Sequence, residues 1–294
     1  MTSSQTEVRP EDRLIQALGK GRRPRLLYHY SSGSALLGIL ESRSIWATNI
    51  RFLNDSTEYR FALEMAKSLV ANRKENTRNR ITAGLYEVLK DRLTSEFQKE
   101  VFVSSFSERP DQLSQWRAYC LPHGGYAIGF RSKEIVNSRN SSATGWLVRC
   151  RYDEESQLSL IEELFKVVEE YAEENRALAS DRVYRESYKL VGRLLPLVAP
   201  ALKDPSFAEE QEWRLVRSAE SFDGFPLFRS ALSMLVPYHE HQLAAPGESL
   251  PIEEVIVGPT PHPKLAIEGV GGLLASHRLG AVRVQTSKVP YRSW

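Results

Sequence analysis

Phe207-Ala-Glu-Glu-Gln-Glu-Trp-Arg-Leu-Val216 is the stretch on which the fold of this chain turns. In an extended segment successive side chains alternate between two faces. Glu210, Glu212 and Arg214 then share one face, and Gln211, Trp213 and Leu215 share the other. The pattern reads as a strand with an apolar-leaning inner face and a charged face toward a cleft. Two carboxylates two residues apart repel, and the nearby arginine offsets that repulsion. A solvated edge strand with a surface ion pair accounts for the same residues. A one-residue bulge would exchange which of Glu210 and Glu212 enters a cleft.

Similar strands recur on both sides of this stretch. Leu26–Ser31, Ser44–Thr48, Val101–Ser107, Tyr126–Phe130, Trp146–Tyr152, Glu254–Gly258 and Gly280–Thr286 are apolar, aromatic or β-branched runs bounded by small polar residues. Helical spacing marks Ser34–Glu41, capped by Ser32 or Ser34, and a segment launched near Asn54, Asp55 and Glu58 that runs to about Asn72. Residues 73–100 carry Ile81, Leu85, Val88, Leu89, Leu93 and Phe97 on one helical face. Leu113–Tyr119 reads as one or two turns, and 154–200 as mainly helix; 218–250 reads as loop, with Pro226, Pro237 and Pro246. Gly129 inside its strand implies close backbone approach. Six to eight short strands with inserted helices predict an α+β fold. Residues 1–25 are expected to form a flexible N-terminal segment, and 26–294 a single α+β domain with a mainly helical insertion at about 154–200. No GxGxxG opens a helix after a strand, and no Walker loop is present.

The net charge of +2 provides no field that would draw the chain to nucleic acid or a membrane. Cys120 and Cys150 form no CxxC pair, which argues against a disulfide framework and a thiolate metal site. None of the six histidines forms a His-x3-His pair. No apolar run is long enough to span a bilayer and no signal-peptide core is evident, so the expected setting is a reducing bacterial cytoplasm.

His29 stands at the exit of the first strand, either as a satisfied core residue or as a hydrogen-bond donor to a ligand hydroxyl. Serines are poor strand formers, yet Val-Ser-Ser-Phe-Ser holds three, with Ser105 and Ser107 on one face. That face is a watery edge or a cleft floor. Trp116 and Tyr119 offer ring faces for stacking, with core packing the simpler account of Trp116. Asp55, Glu58, Glu210 and Glu212 raise a rival chemistry, a metal-dependent phosphoesterase or nuclease, because hard cations favour several carboxylates. A ligand-binding module without catalysis is a third reading.

The succession Leu-Tyr-His-Tyr, Ile-Trp-Ala-Thr, Phe-Leu-Asn-Asp-x-x-Glu, Ser-Phe-Ser, Gln-Trp-Arg-Ala-Tyr, Gly-Gly-Tyr-Ala-Ile-Gly-Phe, Glu-x-Glu-Trp-Arg-Leu-Val and Val-Ile-Val-Gly-Pro resembles a widespread bacterial domain of unknown function from about residue 26 to Arg292. More distantly, the order resembles the ADP-ribosyltransferase fold, with His29 matching its first element, Ser105-Phe-Ser107 its second and Glu210-Gln-Glu212 its third. That resemblance implies NAD, as substrate, in a cleft between two small split mixed sheets. It implies cleavage of the nicotinamide–ribose bond, with ADP-ribose passed to a protein or nucleic-acid acceptor or to water, in a toxin or phage-defence role. Glu212 or Glu210 would be the catalytic carboxylate; His29, Tyr30, Ser105, Ser107, Trp116 and Arg214 would contact NAD; no metal is implied. His paired with Tyr belongs to one branch of those enzymes and Ser-x-Ser with Arg to the other, so the match is a hybrid.

Overall fold

The computed structural model describes residues 14–15, 18–19, 22–53, 58–93, 101–120, 124–136, 145–231 and 233–291. In chain order the helices and strands are β1 (Leu26–Ser31), α1 (Gly33–Ser42), β2 (Ser44–Asn49), α2 (Glu58–Asn76), α3 (Arg80–Arg92), β3 (Val101–Ser107), α4 (Leu113–Tyr119), β4 (Tyr126–Arg131), α5 (Ser132–Ile135), β5 (Trp146–Arg149), α6 (Glu154–Glu174), α7 (Ser180–Val198), β6 (Glu212–Ser218), β7 (Leu227–Ser230), β8 (Leu235–Gln242), β9 (Ile252–Val257), α8 (Pro263–Ser276) and β10 (Arg283–Thr286). The chain divides into two compact units. One holds the described residues within 22–48, 102–147 and 206–294, the other those within 1–21, 49–101 and 148–205. The expected N-terminal segment lies mostly outside the described residues, as do the caps at Asn54 and Asp55.

The strands form a ten-stranded mixed sheet in the order β10-β9-β4-β1-β3-β2-β8-β7, with β6 joined to β3 and β5 to β6. β10 and β9 are parallel, whereas β9–β4, β4–β1, β1–β3, β2–β8 and β8–β7 are antiparallel. The α+β class therefore stands. Two separate small sheets do not, because β3 pairs with β1, β2 and β6 and so links the strands into one branched sheet. β7 and β8 lie in the stretch read as loop. Pro237 misled that reading: the ladder to β2 covers Tyr238–Gln242 only, so the missing proline N–H removes no bond on that side.

The start of the decisive strand also differs. Pro205–Glu210 is 3-10 helix, Gln211 has a left-handed φ of 44°, and β6 begins only at Glu212. Two bonds impose the turn: Ser107 Oγ donates to the Glu210 carbonyl at 2.6 Å, and the Glu108 amide to the Gln211 carbonyl at 3.1 Å. Glu210 therefore does not alternate with Glu212 along one strand. Glu212–Arg217 are buried throughout, so the charged face of β6 is interior and not a solvated edge.

Ser32 caps α1 by accepting from the Ala35 amide at 3.2 Å, and Leu36, Ile39 and Leu40 bury the expected stripe. They join Leu27, Phe106, Ile128, Phe130, Trp213, Leu215 and Val255 in the main core of this unit. Gly129 is crowded as expected: a Cβ there would stand 3.0 Å from both Tyr28 and Glu254. A second small core gathers Leu26, Tyr28, Tyr30, Trp116, Cys120, Ala127 and Ile256. Gly258, after β9, closes over it. Its Cβ would lie 2.9 Å from the Trp116 ring and 3.0 Å from the Gly125 carbonyl, neither of which can yield cheaply. Gly258→Ala is therefore expected to cost about 1–3 kcal/mol, read as a lower midpoint in urea, the usual penalty for overpacking.

The other unit is mainly helical. α2 continues to Asn76, beyond the expected end, and Asn79 starts α3 by accepting from the Ile81 and Thr82 amides. Residues 73–100 are thus not one helix, and residues 94–100 lie outside those described. Leu160, Ile161, Leu164, Val167 and Val168 form the buried stripe of α6, and α7 follows within the span read as helical. No helix among the described residues is long and apolar enough to cross a membrane.

Candidate functional site

β3 lies between β1 and β6 in the pairing scheme, which brings residues far apart in sequence to one place. A pocket of about 60 Å3 opens there, lined by Tyr28, His29 and Tyr30 of β1, Ser105, Phe106 and Ser107 of β3, Gln115 and Tyr119 of α4, and Glu210 and Glu212. Six of the eight residues that the resemblance assigns to a site meet in it: His29, Tyr30, Ser105, Ser107, Glu210 and Glu212. Trp116 and Arg214 do not line it.

His29 Nδ1 lies 2.9 Å from the Ser105 carbonyl. A carbonyl only accepts, so Nδ1 carries the proton and donates. Burial pulls the imidazole pKa below its usual value, opposed only by that backbone bond. In the neutral ring this leaves Nε2 as an acceptor. The expected role therefore changes sign, and His29 would accept from a ligand hydroxyl instead of donating to it.

Ser107 is a brace. Its Oγ donates to the Glu210 carbonyl and accepts from the Arg109 amide at 2.9 Å. Tyr30 presents its ring to the pocket, but its hydroxyl donates to the Arg109 carbonyl at 2.8 Å and accepts from the Gln112 amide at 3.0 Å. Burial pushes the Tyr30 phenol well above its ordinary range. Both side chains hold the turn that carries α4. Trp116 packs edge-on against Tyr30 at 4.7 Å and donates from its indole to Asp111 at 2.7 Å. It is a core residue, so ring stacking on a ligand is not its placement here.

Glu212 and Arg214 point the same way from β6, as strand alternation requires. Arg214 Nε reaches Glu212 Oε1 at 2.8 Å and its Nη2 reaches Oε2 at 3.0 Å. Their side chains are only 7% and 3% exposed, which makes this a desolvated bidentate pair and not a surface one. Beside the pocket, the Tyr28 hydroxyl donates to Glu254 at 2.5 Å, and Arg283 Nε holds the same carboxylate at 2.8 Å. Burial and that bond push the Tyr28 phenol up.

Sequence reasoning left Gln115 inside a motif without a role. It lies four residues before Tyr119, on the same helical face, and that spacing is the signal that could have found it. Among the described residues, no group of three or more His, Cys, Asp or Glu is placed to hold a metal ion. Asp55 of the rival acidic cluster lies outside the described residues.

Fold and site together define an α+β protein with a small pocket where three strands of a branched mixed sheet meet. A family model described as protein of unknown function (DUF2971) matches residues 115–215, from Gln115 on α4 to Leu215 on β6. That span contains Trp116, Glu210, Glu212 and Arg214, whereas His29 and Ser105 precede it. No curated protein and no solved structure matches the chain.

Proposed function

We propose that the protein binds NAD at this pocket and cleaves its nicotinamide–ribose bond, passing ADP-ribose to a macromolecular acceptor or to water. The single observation that carries the reading is that His29, Ser105 and Glu212, taken from three separated segments, line one pocket. Bond cleavage at an anomeric carbon builds positive charge on the ribose, as in glycoside hydrolysis. A fixed carboxylate stabilises that charge where it develops, and Glu212 is held in place by Arg214. His29 Nε2 and Ser105 Oγ supply hydrogen-bond partners for ribose hydroxyls.

The pocket limits what enters. Sites that enclose a whole small-molecule ligand run to about 300–1,000 Å3. About 60 Å3 admits the edge of a ring or a small polar group, so the reading assigns the pocket to the nicotinamide end of the substrate. Tyr119, on α4, is 41% exposed and is the lining side chain most open to solvent.

The test is release of free nicotinamide from NAD by the purified protein, followed by NMR. Wild type is expected to release it. Glu212→Gln and Glu212→Asp are expected to fall at least a hundredfold, with circular dichroism checking that each variant is folded. Wild type that neither binds nor cleaves NAD would overturn the reading. One observation favours a second reading, binding without turnover: both Glu212 oxygens are already engaged by Arg214. That reading predicts NAD binding with no nicotinamide released.

A further inference from the structure

Gln115 is 94% buried, being only 6% exposed, and it lines the pocket. Its carboxamide has two N–H donors and an acceptor oxygen, and none makes a hydrogen bond among the described residues. The other polar side chains around it are accounted for differently. Ser107 and the Tyr30 hydroxyl are consumed by the turn at Arg109, and Glu212 by Arg214. The carboxamide is thus open to pairing by whatever enters the pocket. Trp116 next in sequence is locked by Asp111 and by its contact with Tyr30, which fixes the short helix that presents Gln115.

We propose that Gln115 is the specificity-determining residue of this pocket and that it recognises a primary carboxamide on the ligand. Two carboxamides pair reciprocally, each giving an N–H to the other's carbonyl, so one planar partner satisfies donor and acceptor together. A carboxylate cannot return the donor and would also face Glu210 and Glu212. This deepens the NAD reading, on which it rests, by assigning the recognition of the nicotinamide amide to a residue of α4.

The experiment measures binding of two isosteric probes, nicotinamide and 3-acetylpyridine, to wild type and to Gln115→Met by ligand-observed NMR titration. 3-Acetylpyridine keeps the ring and carbonyl and replaces the amide NH2 with a methyl group. Wild type is expected to bind nicotinamide at least tenfold more tightly than 3-acetylpyridine, because a site built to pair a polar group rejects the analogue that lacks it. Gln115→Met is expected to lose that discrimination while its melting temperature stays level, since no side-chain hydrogen bond to the described residues is lost. A merely structural glutamine would lower the melting temperature and leave the ratio unchanged, which would overturn the proposal. Equal discrimination in both proteins would also overturn it and leave the NAD reading intact. Absence of nicotinamide binding by wild type would overturn it as well, and the NAD-turnover assay then shows separately whether the wider reading falls too.

Discussion

Glu212→Ala is expected to destabilise the fold by about 3–5 kcal/mol, the penalty for taking one partner from a buried ion pair. The expectation follows from position. Glu212 and Arg214 sit two apart on β6 and are both almost fully enclosed, so the guanidinium depends on the carboxylate for two of its hydrogen bonds. Removing the carboxylate leaves charge in a low-dielectric interior, where solvent cannot replace the lost partner. The double variant Glu212→Leu/Arg214→Met removes both charges with little change in volume and is expected to recover most of the loss. Urea melts of the four proteins make a double-mutant cycle, and a coupling of roughly 2 kcal/mol or more is expected. Strictly additive effects would show that the pair contributes nothing jointly. The cycle also bears on function: a variant that loses turnover by unfolding says nothing about catalysis, so Glu212→Gln and Glu212→Asp are the informative substitutions for activity.

The same strand shows which parts of the fold the sequence carried and which it did not. Alternation correctly put Glu212 with Arg214 and Trp213 with Leu215, because alternation is a local property of an extended backbone. It failed at Glu210 because the left-handed Gln211 is imposed by Ser107 and Glu108, about a hundred residues earlier in the chain. No local pattern records such a bond. Pro237 hid β8 for a related reason, since its tolerance depends on where β2 stops. In the pocket, residue types were legible but the use of their atoms was not. Tyr30 and Ser107 look like ligand contacts until the Arg109 turn is seen to take both hydroxyls. Gln115 is hidden for the converse reason: an amide on a short helix suggests a solvated side chain, and only its burial in the pocket wall singles it out.

Stability should fall as pH drops from 6.5 toward 4, and His241 is the main cause. It is 1% exposed. Its Nε2 lies 2.8 Å from the Ile135 carbonyl, which only accepts, so Nε2 carries the proton. Its Nδ1 then accepts from Arg217 at 3.1 Å. Arg217 is itself fixed by Ser221 Oγ at 3.0 Å and by the Phe222 ring 3.9 Å away, and Phe222 stacks on His239. A second proton on His241 would face that guanidinium inside the core. Burial first, and Arg217 in addition, pull its pKa down to about 4, with the Ile135 bond opposing them. In the unfolded chain the same ring titrates near 6.5. Between those values the unfolded state binds the extra proton and the folded state does not. The contribution is therefore fully present above pH 6.5, is lost as pH falls and levels off below the folded value. The loss is roughly 2 kcal/mol by pH 5 and roughly 3 kcal/mol by pH 4. Burial lowers His29 and His239 as well, which adds to the loss with the same sign. His241→Gln keeps one donor for Ile135 and one acceptor for Arg217 but does not titrate. Urea melts at pH 7.5, 6 and 5 should show a clearly shallower pH dependence for this variant than for wild type. Parallel curves for the two proteins would remove His241 as the cause and leave the acid loss to other groups.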